Sequence, residues 1–295
     1  MTILGVTCRP EVPPERLKEV VRAAEDGGLD ELWLWEDCFW GGAASAAAAA
    51  LAWTSRLRVG IGVLPVPLRN VALTAMETAM LHRLFPGRVT VGVGHGVQSW
   101  MEQVGARAES PLTLLREYLD ALRALRRGER LTVHGRYVHL DDVALGWPPA
   151  TAPAILAAAT GPRTLRLSGE LADGTVLDSS TTPGQLRSAR EAIDAGRAAA
   201  GRADPHPVIL YMQAAPQAGP GMAATGPGTA DPPGWDGYRP ESAAVAGDAA
   251  AIAAAVRFWA GAGADTVVLH PPAGVPDPAA FVRFIAEEVR PLIGT

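Results

Sequence analysis

The chain has 295 residues, 48% of them hydrophobic, with a formal net charge of -5 and two cysteines. That hydrophobic share supplies a sizeable core and excludes a disordered chain, while the acidic balance leaves no basic stripe to neutralise nucleic-acid phosphates. Cys8 and Cys38 form no disulfide framework and suit a reducing compartment. The first residues lack a charged head followed by an apolar run, and the Ala43–Ala52 run is too short for a bilayer. The expectation is a cytoplasmic protein with no membrane and no nucleic-acid partner.

In chain order, a strand is expected over 3–7 (ILGVT), then a helix over 14–26 opened by Pro13-Pro14 and closed by Gly27-Gly28. The second strand is 31–35 and the second helix 44–53; the third strand is 57–64, followed by helical spacing over Val71–Leu84. The fourth strand is 88–93 and its helix 111–127. Here the alternation pauses. Residues 130–140 read as two short strands around His134-Gly135, a small surface hairpin within an insertion over 129–147. The rhythm resumes with a strand at 154–158 and a helix at 162–171, then 174–177 and 183–200, then a strand at 207–212. A helix at 249–260, a strand at 265–269 and a helix at 278–289 complete the pattern.

Eight apolar strands alternating with amphipathic helices predict a parallel sheet covered on both faces, closed as a single-domain (β/α)8 TIM barrel over 1–295. A doubly wound open sheet is the alternative. The segment 213–247 departs from the rhythm, being dense in Pro, Gly and Ala. It reads as a lid over the barrel mouth, with Trp235 and Tyr238 available to close on a ligand, or as a disordered insertion.

In such barrels ligands bind at the C-terminal ends of the strands. That places Cys8, Asp37, Cys38, Gly62 to Leu64, His95-Gly96, Ala159-Thr160-Gly161, Asp178-Ser179, Met212-Gln213 and His270 at one mouth. No metal-ligand spacing, nucleophile elbow or lysine occurs among them, which removes metal, serine-hydrolase and Schiff-base chemistry from the expectation. The fourth strand ends in Gly94-His95-Gly96, where glycines let a ligand approach closely, although the dinucleotide-binding fingerprint is not met. Ala159-Thr160-Gly161-Pro162 opens a helix and offers free backbone N–H groups, either as an anion site or as a plain cap. His95 reads as a proton donor or as a hydrogen-bonding residue. Cys38, beside Asp37, is disfavoured as a thiolate, and Glu36 and Asp37, adjacent on a strand, are expected to face opposite ways. Arg69 reads as a solvated arginine, His270 as a turn residue, and Trp33 and Trp35 as barrel packing.

GVGHGVQSWMEQVGA, Asp37-Cys38-Phe39, GVLPVPLRNVAL and above all the segment 161–174 (GPRTLRLSGELADG) resemble the luciferase-like monooxygenase superfamily, closest to its coenzyme F420-dependent branch. The resemblance covers 3–176 well and the remainder in outline. It implies a non-prolyl cis peptide at Gly62-Val63, a bulge backing the cofactor's central ring. It also implies that Asp37, Gly62, Val63, Leu64, His95, Gly96, Ala159, Thr160, Gly161 and Pro162 hold a deazaflavin or flavin, with Asp37, Cys38 and His95 as catalytic candidates. Two departures stand out. The family's frequent Asp-His-Phe is Asp37-Cys38-Phe39 here, and the glutamate of the sugar-phosphate dehydrogenase branch is Val97. Both favour a reductase that delivers hydride from F420 to a small organic substrate. An FMN-dependent monooxygenase using oxygen is the alternative, then a non-catalytic flavin-binding protein, and last a cofactor-free barrel hydrolase. The helix at Ala43–Ala52 is rich in small residues, and a homodimer through neighbouring helices is expected.

Overall fold

A computed structural model describes residues 2–216 and 243–294. In chain order it contains β1 (Ile3–Cys8), α1 (Leu17–Asp26), β2 (Glu31–Leu34), α2 (Ala43–Ala52), β3 (Arg58–Pro65), α3 (Val71–Leu84), β4 (Val89–Gly94), α4 (Gln98–Gln103) and α5 (Pro111–Arg126). The hairpin β5 (Leu131–His134) and β6 (His139–Val143) follows, then β7 (Ile155–Ala158), α6 (Pro162–Leu171), β8 (Gly174–Leu177), α7 (Pro183–Ala199) and β9 (Val208–Pro216). The chain ends with β10 (Ala244–Gly247), α8 (Ala249–Ala262), β11 (Thr266–His270), α9 (Pro278–Phe284), a π turn and α10 (Arg290–Ile293).

Eight strands pair in parallel in the order β1-β2-β3-β4-β7-β8-β9-β11, and β11 returns to β1. The sheet therefore closes, as the alternation predicts, and the open doubly wound alternative falls. Closure leaves no unpaired edge among those eight strands, and the helices cover the outside. Helix starts follow the sequence signals. Asn70, Asp248 and Asp277 accept first-turn N–H groups, and Thr182 with Gln185 forms a capping box before α7.

Inside the barrel, Trp33, Leu156, Val176, Ile209, Tyr211 and Val268 form one buried cluster. Trp33 is 1% exposed and lies across the barrel floor, where a Cβ on Gly60 would overlap its ring. The glycine is the condition for seating the indole, whose burial contributes about 4 kcal/mol. Its Nε1–H donates to Glu31 at 2.8 Å, so the one polar atom of the ring is satisfied.

Three elements differ from the sequence expectation. A short helix, α4, follows the glycine turn after β4, in a stretch too short to show a helical period. The hairpin turn spans 135–138 rather than His134-Gly135, because Glu117 of α5 accepts the N–H groups of Arg136, Tyr137 and Val138 and fixes the turn there. Within 213–247, Gln213–Pro216 and Ala244–Gly247 are paired parallel strands, since β9 runs on past the end of β8 and β10 lies beside that extension. The rest of the segment expected as a lid or insertion, with Trp235 and Tyr238, lies outside the described residues.

Candidate functional site

A cavity of about 350 Å3 opens at the C-terminal ends of the strands. Its shape begins with a bulge. Opposite β4, Gly62 and Val63 of β3 occupy the space of one residue, and the Gly62-Val63 peptide is cis. Tyr211 Oη donates to the Gly62 carbonyl at 3.2 Å. Val63 projects across the neighbouring strand: a Cβ on Gly92 would sit 2.7 Å from Val63 Cγ1, and one on Gly94 would sit 2.9 Å from Val63 Cγ2 and 3.1 Å from Ala158 Cβ. The bulge and the glycines of β4 thus make one cradle that side chains would fill. Gly96 turns the chain beyond it at φ +67, a conformation glycine adopts without strain, with Pro65 close beneath.

Of the sequence candidates, Asp37, Cys38, Gly62, Val63, His95, Gly96, Ala159, Thr160, Asp178, Ser179 and His270 line this cavity. Leu64, Gly161 and Pro162 do not. Leu64 alternates to the outer face of β3 and is fully buried in the core, while Gly161 is the cap residue before α6 and Pro162 its first residue. No side chain caps that helix, so its first-turn N–H groups stay available beside Thr160. His95 Nε2 lies 3.2 Å from Thr164 Oγ1 on the same helix, and the Gln98 amide donates to the carbonyls of His95 and Gly96. Burial pushes the His95 imidazole below its ordinary pKa, which favours the neutral ring.

The opposite wall carries the charge. Burial, with help from Glu11, pushes the Asp37 carboxyl up to about 6, while Arg9 pulls it back. Burial and then Asp37 and Glu36 raise the Cys38 thiol, which agrees with the expectation against a thiolate. Arg9 pairs with Glu11 at 2.6 Å and lies over the Trp35 ring at 5.4 Å. The Cys38-Phe39 peptide is also cis, with Phe39 and Trp40 exposed beyond it.

Glu36 and Asp37 both line the cavity, with their carboxylates toward different neighbours, Glu36 at Arg69 and the Ala43 N–H and Asp37 near Glu11 and Arg9. Three readings from sequence are corrected. Arg69 is not solvated: it is held by Glu36 at 2.8 Å and by Glu77, and Glu36 also accepts the N–H of Ala43 at 2.9 Å, tying the loop after β2 to α2 and α3. Trp35 belongs to the cavity wall, edge-on to Tyr211 and His270 at 5.3 and 5.4 Å. His270 is the last residue of β11 and not a turn residue. It is 4% exposed, donates from Nδ1 to the Pro271 carbonyl at 3.2 Å, and has no Nε2 partner among the described residues. Burial, helped by Arg9, pushes its pKa down to about 3, so this ring is a neutral acceptor aligned with the wall. A position at the end of a barrel strand was the available signal; the prolines after it masked it.

The arrangement is a parallel barrel with a largely apolar slot over a glycine cradle, three carboxylates (Glu36, Asp37 and Asp178), two neutral imidazoles and an uncapped helix N-terminus. Among the described residues no cluster of metal-ligating side chains occurs. The slot fits a flat, ring-bearing cofactor, since the cradle exists only while Gly92 and Gly94 carry no side chain.

The family model for luciferase-like monooxygenases matches residues 4–223, and the chain belongs to that family. The 5,10-methylenetetrahydromethanopterin reductase of Archaeoglobus fulgidus is 30% identical over 208 residues, 70% of this chain and 62% of that protein. The chain thus spans less than two thirds of that relative's length. Among solved structures, an F420-dependent secondary alcohol dehydrogenase in complex with an F420-acetone adduct superposes with a TM-score of 0.83 at 20% identity, covering 100% of this chain and 99% of that one. The oxygenating constituent of 3,6-diketocamphane monooxygenase from Pseudomonas putida, in complex with FMN, gives 0.76 at 17% identity over 100% and 99%. These two show the shared fold. Among the described residues no helix is long and apolar enough to cross a membrane.

Proposed function

We propose that the chain is an oxidoreductase that binds coenzyme F420, with FMN second, and passes hydride between that cofactor and a small organic substrate, favouring substrate reduction. The observation that supports this most is the Gly62-Val63 bulge standing over the Gly92-Gly94 cradle, a surface shaped for one face of a tricyclic ring. When bound, such a cofactor supplies hydride at its central ring. The chain's own residues do the rest. Val63 backs the ring, Thr160 and the uncapped first turn of α6 take a phosphate-bearing tail, and Trp35, Tyr211 and His270 keep water from the far wall. Asp37, with a carboxyl pushed up to about 6, holds a proton close to neutral pH and gives it to the substrate as hydride arrives. His95, neutral and fixed near Thr164, hydrogen-bonds cofactor or substrate. Cys38 serves as packing against Trp100 and Met101 in the buried cluster they share.

The preference for F420 rests on the sequence resemblance and agrees with the F420 adduct of the alcohol dehydrogenase neighbour; the FMN complex of the monooxygenase keeps oxygen chemistry as the second reading. Two free cysteines support a reducing, cytoplasmic setting. We place the homodimer contact on α3, where Leu73, Met76, Met80 and Leu84 share one face at 45–61% exposure, in preference to the small-residue helix α2. Light scattering that returns only monomers would remove this part.

The test is titration of the purified protein with F420 and, separately, with FMN, followed by absorbance and fluorescence. Selective F420 binding with turnover of unsaturated or carbonyl substrates is the expected result. Selective FMN binding with oxygen consumption would move the chemistry to monooxygenation. Binding without turnover would leave a flavin-binding protein, and no binding of either would sink the assignment.

A further inference from the structure

The loop that follows β2, residues 35–42, carries Trp35, Asp37 and Cys38 of the slot wall. Two contacts hold its middle. One is apolar: Cys38 is buried in a cluster with Trp100 and Met101. The other is ionic. The Glu36 carboxylate accepts from Arg69 Nη1 at 2.8 Å on one oxygen and from the Ala43 N–H at 2.9 Å on the other. Ala43 opens α2, whose cap residue Gly42 has no side chain to offer, so Glu36 caps that helix from the loop. Beyond these contacts the backbone makes a turn bond from the Trp40 N–H to the Asp37 carbonyl at 3.0 Å, and Phe39 and Trp40 are exposed.

Arg69 stands just before α3 and does not line the slot; it belongs to the wall of a neighbouring cavity. It is fixed from its other side as well. Its second terminal nitrogen pairs with Glu77, and its Nε donates to Thr74 Oγ1 at 3.4 Å. That hydroxyl, fully buried, also accepts from Tyr118 Oη of α5 at 2.6 Å. Against burial, which lowers it, Glu36 and then Glu77 keep the Arg69 pKa above its ordinary value. A planar fork can bridge two carboxylates on different elements, whereas an ammonium on one flexible stem serves as a point charge. A line of bonds thus runs from α5 through α3 and Arg69 to the loop.

We propose that Arg69 is a positioning residue: through Glu36 it fixes the loop that presents Trp35 and Asp37 to the slot, and it sets that wall without touching what the slot holds. The inference rests on the reading of the slot as a cofactor and substrate site. The place of the Asp37 carboxyl follows from the backbone on either side of it, clamped by Glu36 before and by Cys38 after. The Glu36 and Arg69 side chains are only 7% and 13% exposed. Removing the cation leaves a buried carboxylate without its partner, and the loop is then drawn toward water. The glycine cradle is built on β4 against Val63 and makes none of these bonds, so loop position and cofactor seating separate on substitution.

The experiment is maleimide alkylation of the folded, cofactor-free full chain, read by mass spectrometry at each cysteine. Cys38 reports the loop, and Cys8, buried in β1, reports opening of the barrel. Arg69→Met is expected to label Cys38 about tenfold faster than wild type with Cys8 unchanged, because a local opening frees one and not the other. Arg69→Lys, which keeps a charge beside Glu36, should label at a rate between the two. Should Arg69→Met fail to fold, Glu36→Gln breaks the same pair from the loop side, leaves Arg69 with Glu77, and is read in the same way. In the cofactor-loaded protein, Arg69→Met should lower kcat about tenfold while the cofactor Kd stays within about twofold. Unchanged Cys38 labelling, or Cys38 and Cys8 rising together as in general loosening, would overturn the proposal. So would a wild-type kcat in a variant whose Cys38 labels faster. If neither cofactor binds the wild type, the proposed function falls, and the labelling comparison still decides whether Arg69 holds the loop.

Discussion

The two ends of the barrel are built on opposite terms. At the base, the loops that lead into the strands are clamped by charged side chains that satisfy backbone groups. Glu25 accepts the N–H groups of Ser55, Arg56 and Leu57 ahead of β3, Arg88 donates to the carbonyls of Thr54 and Leu57, and Asp265 accepts the N–H of Val208 ahead of β9. Asp173 does the same for Ile155 ahead of β7. At the mouth the loops are shaped by glycines, two cis peptides and aromatic rings, and His270 Nε2 has no hydrogen-bond partner among the described residues. We infer from the difference that the base clamps hold the fold while the glycine cradle and His270 Nε2 at the mouth are open to a ligand.

That division can be broken by substitution. The largest effect should come from Asp173→Ala at the base, which strips the partner shared by Arg123, Arg202 and the Ile155 N–H. We expect a loss of about 3 kcal/mol in denaturant unfolding, with cofactor affinity unchanged below the transition. A drop in affinity without loss of stability would erase the distinction. Gly94→Val at the mouth is expected to do the reverse. It fills the cradle beside Val63 and Ala158 and should cost about 100-fold, or about 2.7 kcal/mol, in F420 or FMN affinity with a smaller change in stability.

The smallest effect sharpens the comparison by its sign. Asp37 titrates at 3.8 in its ordinary state and at about 6 in the fold, so the folded protein holds that proton more tightly. The stabilising contribution is complete below 3.8 and is lost as pH rises through about 6; above that, the buried carboxylate weakens the fold. Asp37→Asn should therefore be more stable than wild type by about 1–2 kcal/mol near pH 8 and no more stable near pH 4, read from urea midpoints. Glu25, whose carboxyl is brought down to about 2 by those three N–H groups and the Ser55 hydroxyl against the opposing effect of burial, behaves oppositely. Its contribution is present above 4.5 and is lost as pH falls through about 2.

The barrel was legible because its signals are periodic. Apolar runs such as 57–64, with a Pro or Gly beside most of the helices, identify strands and helices without any tertiary information. The cradle was legible in part: Gly62, Gly92 and Gly94 stand out, and the resemblance supplied the bulge. What stayed hidden depends on where a strand stops and what lies across the barrel. Arg69 is held by Glu36 from the loop after β2 and by Glu77 of α3, and Trp35 and His270 meet across 235 residues of sequence. Arg126 sits in a run of arginines that reads as an ordinary helix C-terminus, and nothing local says that one of them is turned inward. The Cys38-Phe39 cis bond has no local signature either.

The pairing of β10 with β9 has a consequence for how this family can vary. The chain leaves the barrel rim at Pro216 and returns at Ala243 beside Gln213, whose N–H donates to its carbonyl at 2.8 Å. Retracing four strand residues and stepping to the next strand spans about 18 Å, which about six extended residues bridge. The 26 positions from 217 to 242 exceed that need severalfold. Barrel closure runs through the pairing of β9 with β8 and β11, so a change in the number of residues between Pro216 and Ala243 is expected to leave that pairing intact.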